Sequence, residues 1–322
     1  MKAVTRLKYG SPDVLELREI DRPTPLDNQV LIKVHAASVN PMDWHILRGK
    51  PFLVRLMGFG FLKPKHQILG ADMAGRIEAV GKNVTLFKVG DEIFGSGMGG
   101  FAEYACLREN QVTLKPGNMT LEQAAAVPIA GLTALQALRD HGRIQQGQHV
   151  LVNGASGGVG TFAVQIAKAL GAHVTGVCSE KNIEMVRSIG ADHVIDYTKE
   201  HYWMSGKQYD LIIDNAAFYS IRKPLQALKT TGIYVIVGGS SSTAGFLKSM
   251  IFNTIIAKIK GRKTASFIAN LNQDDLAFIK ELLEAGKVVP VIGKKYSLAE
   301  TPQAVSYVEA GHTQGKVLIT IC

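Results

Sequence analysis

The sequence predicts an α/β protein with two domains: a β-rich first domain, and a second domain built on a doubly wound parallel sheet. Before residue 121, Gly and Pro separate short apolar runs, and Val30, Ile32 and Val34 alternate as in a half-buried strand. From His149 onward, apolar strand-like runs alternate with helical patterns. That alternation is typical of a parallel sheet with helices on both of its faces.

The composition changes near residue 121, and this change sets the expected domain boundary. The segment LEQAAAVPIAGLTALQALRD begins there and has a helical pattern, with Pro128 and Gly131 marking a break inside it. The closing run GKVLITI has the pattern of a strand that rejoins the first domain. We therefore expect a first domain over 1–124, completed by 270–322, and a second domain over 125–269.

Length and composition exclude several classes of protein. The 322 residues include 46% hydrophobic and 20% charged residues, which is ordinary for a globular protein. No apolar run reaches the ~18 residues that a membrane span needs, and the N-terminus lacks the apolar region of a secretory signal. The three cysteines show neither a disulfide framework nor the spacing of a metal site. We expect a cytoplasmic protein with reduced thiols.

The net charge of +9 allows two interpretations. It could attract an anionic partner, or it could reflect a basic surface with a pocket for a phosphorylated cofactor. We favour the second because most of the charge is scattered, and we expect no nucleic acid partner. The basic cluster 258–263 follows an apolar run, so 246–263 is a candidate for peripheral membrane contact. The segment 51–62, which is unusually apolar for a loop, is a second candidate; either segment could instead line a substrate cleft.

The segment VLVNGASGGVG (150–160) predicts a dinucleotide-binding turn, because it follows a strand, opens a helix and begins a βαβ unit. Gly154 and Gly157 would permit the tight turn. Gly158 would leave room for the pyrophosphate, and Gly160 would let the helix pack close to the strand. The N–H groups at the start of the helix would bind the phosphates. The candidate cofactor residues of this turn are Gly154, Ala155, Ser156, Gly157, Gly158, Val159 and Gly160.

The residues after the second strand, HVTGVC, distinguish NADP from NAD. NAD-binding proteins place Asp or Glu there to accept a hydrogen bond from the ribose 2′-hydroxyl. Here Ser179 stands at that point, followed by Glu180 and Lys181. A hydroxyl and a lysine suit a 2′-phosphate, and Tyr197 could pack against the adenosine. A shift of one residue would make Glu180 the acid of an NAD site, but we favour NADP(H).

The chain resembles the medium-chain dehydrogenase/reductase superfamily, and within it the zinc-free quinone-oxidoreductase or zeta-crystallin-like branch. The segments that carry the resemblance are ASVNPMDWHILRG, ILGADMAGRIEAVG, GLTALQAL, GASGGVG and GKVLI, and it extends over essentially the whole chain. The resemblance implies a GroES-like catalytic domain plus a Rossmann domain, and a homodimer. It also implies an NADPH-dependent oxidoreductase that acts on quinones or α,β-unsaturated carbonyls.

The resemblance also bears on zinc. Zinc members of the superfamily have a cysteine where this chain has Asn40, and a His-Glu pair at Ala71 and Asp72. Their third ligand falls near Ile129. Zinc sites use Cys, His and carboxylate ligands, and none of these positions offers the Cys or His that is required. The four-cysteine structural lobe is missing too, since its segment contains only Cys106. We expect no zinc.

Without zinc, the substrate must help to stabilise the charge that hydride addition creates. A quinone or a conjugated enone spreads that charge over a hydroquinone or enolate oxygen, which hydrogen-bond donors can stabilise. We therefore expect a small hydrophobic quinone or carbonyl compound as the substrate. Two alternatives stay open: a metal-free alcohol or aldehyde dehydrogenase, and a non-catalytic NADPH-binding structural or sensor protein.

The resemblance supplies further candidate residues. The catalytic candidates are Asn40, Asp43, His45 and Thr133. Asn40 would donate to the substrate oxygen and Asp43 would hold its loop, whereas His45 could instead be a surface or ribose contact. The remaining candidate cofactor or cleft contacts are Asn215, Gly238, Gly239, Phe267 and Lys316. Trp44 and Phe52 are candidates for lining the substrate pocket.

Overall fold

The computed structural model describes residues 1–238, 261–311 and 313–321. Gly239 and most of the segment 246–263 lie outside the described residues. The chain forms two compact units: the first comprises residues 1–130, 271–284 and 290–322, and the second comprises 131–270 and 285–289. Among the described residues, no helix combines the length and the apolar character that crossing a bilayer requires.

Fifteen strands and seven α-helices are found in the described part of the chain. The strands are β1 (Lys2–Thr5), β2 (Glu16–Glu19), β3 (Gln29–Val39), β4 (Asp72–Val80), β5 (Glu92–Ser96), β6 (Tyr104–Arg108), β7 (Val112–Leu114), β8 (His149–Asn153), β9 (His173–Cys178), β10 (His193–Asp196), β11 (Tyr209–Asp214), β12 (Leu228–Ile236), β13 (Lys263–Ser266), β14 (Ile292–Ser297) and β15 (Lys316–Thr320). The helices are α1 (Pro41–Arg48), α2 (Leu121–Ala125), α3 (Pro128–Gln136), α4 (Gly158–Ala169), α5 (Ile183–Ser188), α6 (Gln273–Glu284) and α7 (Thr301–Glu309).

The first unit is built on a seven-stranded sheet with the order β14-β15-β3-β4-β5-β7, in which β6 also pairs with β3. Only β14 and β15 run parallel to each other; the other pairs are antiparallel. The predicted face of Val30, Ile32 and Val34 is fully buried in the core of this sheet. The strands β1 and β2 form a separate antiparallel pair.

The register of three neighbouring strands brings distant parts of the chain together. Val39 of β3 lies opposite Val317 of β15, and Ser38 of β3 lies opposite Asp72 of β4. The last residues of β3 are therefore flanked by the first residues of β15 and β4. The polar residues at these strand ends form the cluster described below.

The second unit contains a six-stranded, all-parallel sheet with the order β10-β9-β8-β11-β12-β13. This order confirms the doubly wound parallel sheet predicted from the sequence. The chain direction across the sheet changes between β8 and β11, so the carboxyl ends of these strands, Asn153 and Asp214, flank the switch point. Ligands of such sheets bind at this edge.

Of the two residues predicted to mark a break in the Ala/Leu-rich segment, only Pro128 lies at one. Helix α2 ends at Ala125 and α3 begins at Pro128, whereas Gly131 lies inside α3. Proline is favourable in the first turn of a helix, because its missing N–H would have no partner there. Pro128 therefore starts the second helix, and the interpretation of Gly131 as a break is wrong.

Candidate functional site

The turn between β8 and α4 is shaped by two of its glycines, Gly154 and Gly160. Gly154 has a φ of +73°, a left-handed conformation that favours glycine. A Cβ atom on Gly160 would lie 2.0 Å from the carbonyl oxygen of Gly154. No side chain fits there, so α4 can pack close to β8 only because residue 160 is glycine.

Gly157 was expected to permit the tight turn, but in the structure it is the N-cap residue of α4. Its φ of −80° is accessible to any residue, and a Cβ atom there would meet only the Gly154 carbonyl oxygen, at 3.5 Å. The tight turn therefore does not need Gly157. Gly157 is the N-cap of α4 and makes no side-chain cap, so within the described residues the first N–H groups of α4 stay open to an anion.

Asn182 connects this turn to the end of the second strand. Its side-chain nitrogen donates to Ser156 Oγ at 3.1 Å and to Ser179 Oγ at 3.2 Å. Ser179 directly follows β9. One buried amide thus connects the turn after β8 to Ser179, the residue predicted to face the ribose. The sequence analysis did not identify Asn182. Its position four residues after the end of β9 could have indicated it.

A second lysine, Lys199, lies at the position where NADP and NAD are distinguished. Its Nζ atom is 2.6 Å from Glu180 Oε1, so Glu180, the candidate NAD-type acid, is already paired. Lys181 is exposed at the same strand end, and Tyr197 is partly exposed beside it. Lys199 follows β10 and Glu180 follows β9. The two residues are close because these strands are parallel neighbours.

The switch point contains a buried polar network around Asp214. Its carboxylate accepts from Asn153 Nδ2 at 2.7 Å, from the Ala216 N–H at 3.0 Å, and from the Tyr234 hydroxyl. Burial raises the pKa of Asp214. The network fixes the next residue, Asn215, whose Nδ2 donates to the Asn153 carbonyl oxygen at 3.0 Å.

Asn215 Oδ1 is a buried acceptor with no hydrogen-bond donor among the described residues. An unpaired buried acceptor is costly unless a ligand or water supplies the donor. Gly238 lies against the same residue, since a Cβ atom on it would be 2.6 Å from the Asn215 carbonyl oxygen. The open helix N-terminus and this unpaired acceptor fit a nicotinamide dinucleotide, whose phosphates accept and whose carboxamide donates.

The other candidates of the second unit are less informative. Phe267 directly follows β13 and stacks on His141, with ring centroids 4.1 Å apart. Thr133 lies half-buried in α3. The structure therefore gathers most cofactor candidates at the carboxyl edge of one sheet, whereas Asn40, Asp43, His45 and Lys316 belong to the first unit.

Lys316, Asn40 and Asp72 form a buried cluster at the strand ends of the first unit. Lys316 Nζ donates to Asn40 Oδ1 at 2.6 Å and lies 3.3 Å from Asp72 Oδ2. Asn40 Nδ2 donates to the same Asp72 oxygen at 2.9 Å, as Ser38 Oγ does at 3.0 Å. The Ile129 N–H donates to Asp72 Oδ1 at 3.0 Å. The Asn40 amide, expected to face a substrate oxygen, is therefore largely engaged within the protein.

By the resemblance, the zinc ligands of the relatives fall at Asn40, at the pair Ala71 and Asp72, and near Ile129. In the structure, Asn40 and Asp72 both contact the ammonium group of Lys316, and the Ile129 N–H donates to the other oxygen of Asp72. Among the described residues, no group of three or more His, Cys, Asp or Glu side chains could hold a metal ion. The groups at this place are the Lys316 ammonium, the Asn40 amide and the Asp72 carboxylate. The ammonium group already supplies the positive charge that pairs with the carboxylate, so this set suits the lysine better than a bound metal ion.

Asp43 and His45 make structural contacts within the same unit. Asp43 is fully buried and accepts from the Asn40 N–H at 2.7 Å and from the Gly70 N–H at 3.2 Å. Burial raises the pKa of Asp43 to about 7. His45 Nδ1 lies 2.9 Å from the Lys50 carbonyl oxygen, and its ring stacks on Trp44. Burial lowers the pKa of His45.

Comparison with known proteins places the chain among oxidoreductases. Residues 26–117 match the model of the alcohol dehydrogenase GroES-like domain, and residues 189–319 match that of the zinc-binding dehydrogenases. A mitochondrial NAD(P)H oxidoreductase of Bos taurus, RTN4IP1, is 35% identical over 98% of this chain and 87% of its own length. The 2-methylene-furan-3-one reductase of Solanum lycopersicum is 33% identical over 99% of this chain and 79% of its own.

The solved structures include a similar fold over the whole chain. The quinone oxidoreductase from Coxiella burnetii superposes with a TM-score of 0.87 at 31% identity. The match covers 100% of this chain and 99% of the Coxiella chain. Both units therefore have counterparts in that structure.

The substitution Gly157→Ala tests the turn as a cofactor site separately from its role in the fold. Because the added Cβ atom fits the protein, the free energy of unfolding should change little. If the pyrophosphate binds at the open N-terminus of α4, the methyl group would crowd it, so the affinity for a nicotinamide dinucleotide, NADPH or NADH, should fall by about tenfold, or about 1.4 kcal/mol. Fluorescence titration and urea unfolding measure the two quantities. Gly117→Ala, which also meets open space, is the control, and an unchanged NADPH affinity in Gly157→Ala would exclude the turn as the phosphate site.

The substitution Lys316→Met tests whether the ammonium group holds the buried cluster. It leaves the Asp72 carboxylate without its cation, so the free energy of unfolding should fall by about 3–5 kcal/mol. Adding Asp72→Asn to Lys316→Met should cost less than the sum of the two single changes. The control is Lys295→Met, which breaks an exposed pair with Glu122 and should cost about 0–1 kcal/mol. Equal losses for the two lysines would contradict this role of Lys316.

Proposed function

Because the chain belongs to the medium-chain dehydrogenase/reductase superfamily, in its quinone-oxidoreductase-like branch, we propose that it is an NADPH-dependent reductase of quinones or α,β-unsaturated carbonyls that works without a metal. At the coarser level, it is an NAD(P)H-dependent oxidoreductase, as its relatives are named. The observation that carries the finer proposal is the Lys316–Asn40–Asp72 cluster, because it places an internal cation beside Asn40 and Asp72, two positions that the resemblance assigns to the zinc site of the relatives.

The names of the relatives support both substrate classes. The Coxiella protein is a quinone oxidoreductase, and the tomato protein reduces a methylene-furanone, in which a C=C bond is conjugated to a carbonyl group. In both classes the charge that forms on reduction is delocalised onto an oxygen that hydrogen bonds can stabilise. A saturated aldehyde lacks this delocalisation and gains most from a Lewis acid.

Each unit makes its own contribution to the proposed reaction. A bound nicotinamide would supply the hydride. The open N–H groups of α4 would bind the pyrophosphate, and Asn215 Oδ1 would accept from the carboxamide, which orients the ring. Lys316 and Asp72 hold the Asn40 amide in one orientation, and Asp43 holds the backbone of the same residue. Asn40 and Asp43 are thus proposed as positioning residues.

The preference for NADP rests on the charges after β9 and β10. The ion pair between Glu180 and Lys199 occupies the carboxylate that an NAD site would need for the ribose 2′-hydroxyl. With Lys181, these three residues carry one net positive charge. That balance favours a 2′-phosphate, which both lysines could bind.

The proposal also includes a cytoplasmic location and a homodimeric assembly. Both of these rest on the sequence alone.

The first experiment measures NADPH oxidation by purified, chelator-treated protein. The acceptors are an aromatic ortho-quinone, a 2-alkenal and a saturated aldehyde, each tested with the metal content determined by mass spectrometry. Turnover of the quinone or the alkenal, but not of the saturated aldehyde, is expected at less than one metal ion per ten chains. Turnover of the saturated aldehyde would favour a dehydrogenase. NADPH binding without turnover of any acceptor would favour a structural or sensor protein.

The second experiment tests the choice of cofactor. Lys181→Ala and Lys199→Ala should each weaken NADPH binding by about tenfold, because each removes one charged contact to the 2′-phosphate. NADH binding should be unchanged in Lys181→Ala and stronger in Lys199→Ala, which releases Glu180. The control is Lys168→Ala, whose lysine pairs with Asp192 in the same unit. Equal losses of NADH and NADPH affinity would contradict a 2′-phosphate site.

A further inference from the structure

The loop formed by residues 51–65 exposes an unusual number of large apolar side chains. Leu62 is 81% exposed, Leu56 59%, Phe61 55% and Met57 52%. Phe52 and Leu53 are also exposed. Soluble surfaces carry single exposed apolar residues, but a contiguous group of this kind usually marks a binding surface. This segment, called the apolar loop below, contains none of the residues of the Lys316–Asn40–Asp72 cluster.

The apolar loop is built by specific contacts. Val54 and Phe59 point inward and pack on the core of the first unit. The Tyr9 hydroxyl lies 2.8 Å from the Phe59 carbonyl oxygen, and the Arg55 guanidinium lies over the Tyr9 ring, 4.3 Å from its centroid. A Cβ atom on Gly60, whose φ is +102°, would lie 2.1 Å from the Lys63 carbonyl oxygen. These contacts hold the loop in a shape that presents the outward side chains together.

Only positive charges accompany the apolar side chains. The sequence contains no Asp or Glu between residues 44 and 71. Lys50, Lys63 and Lys65 are exposed at the two ends of the loop, and Arg55 is half-buried within it. Apolar side chains flanked by lysines are the pattern of a segment that inserts into the headgroup region of an anionic membrane.

We propose that the apolar loop docks the protein reversibly on the surface of an anionic lipid bilayer. Leu56, Met57, Phe61 and Leu62 enter the interface, while Lys50, Lys63 and Lys65 contact the lipid headgroups. A second copy of the chain is a poorer occupant, because a two-fold interface would place the same lysines opposite one another. The inference does not depend on the proposed reaction.

The experiment is a flotation assay of the full chain with phosphatidylcholine vesicles that contain either no phosphatidylglycerol or about one third of it. The wild-type protein should bind the anionic vesicles, and high salt should weaken the binding. Lys63→Ala/Lys65→Ala should weaken it about 25-fold, since each lysine near such a surface contributes about fivefold. Phe61→Ser/Leu62→Ser should weaken it at least as much.

The control for the apolar change is Leu26→Ser/Leu86→Ser, which alters two leucines of the same unit that are 67% and 58% exposed. This control should bind vesicles as the wild type does. Turnover of a water-soluble quinone, measured without lipid, should be the same in all variants and separates this inference from the proposed function. Absence of binding to anionic vesicles, or equal losses in the apolar-loop variant and the control, would overturn the proposal. A change in KM for the quinone without any vesicle binding would assign the loop to the substrate instead.

Discussion

The buried contact between Lys316 and Asp72 is the interaction on which the first unit depends most. Taking two charges out of water is costly, and the cost is recovered only if both ions are fully hydrogen-bonded. Asp72 meets this condition through Ser38, Asn40 and the Ile129 N–H. These partners come from the end of β3 and from the start of α3, while Lys316 comes from the start of β15. Asp72 itself lies at the start of β4, so the ion pair and its hydrogen bonds join four segments that are far apart in the sequence.

The second unit solves a different problem, because its ligand must be held mainly by backbone groups. The N-terminus of α4 can approach a phosphate only if the chain turns sharply after β8 and then passes close to it, which Gly154 and Gly160 permit. The turn is joined to β9 by the N–H groups of Gly154 and Ala155, which donate to the Val177 carbonyl oxygen, and Asn182 adds a side-chain link between Ser156 and Ser179. On the other side of the switch point, the Asp214 network orients Asn215. A rigid frame thus surrounds the positions where the cofactor's groups would be recognised.

Local sequence patterns were sufficient to predict the fold class, and they also predicted a glycine-dependent turn between β8 and α4. The alternation of strand and helix patterns from His149 onward predicts the parallel sheet. Each strand or helix is recognised from the spacing of its own apolar residues, so no information from distant residues is needed. The buried cluster could not be predicted in this way. Asn40, Asp72 and Lys316 meet only because β3 pairs with both β4 and β15 in a particular register. The register in which distant strands pair cannot be read from local sequence patterns. Lys199 was missed for the same reason, since it reaches Glu180 through the pairing of β10 with β9.

The nature of the internal cation is consistent with the chemistry proposed for the protein. A zinc ion polarises a substrate oxygen directly, because it carries two charges and keeps an open coordination position. The Lys316 ammonium carries one charge and three protons, and two of these are directed at Asn40 and Asp72. It can orient an amide and contribute a positive potential, but it has little capacity left for a substrate oxygen. Acceptors that delocalise their own charge, such as quinones and enones, need no more than this. The same residues that stabilise the strand ends would therefore also limit the range of substrates, which makes substrate choice in the proposed reaction a consequence of how the first unit is held together.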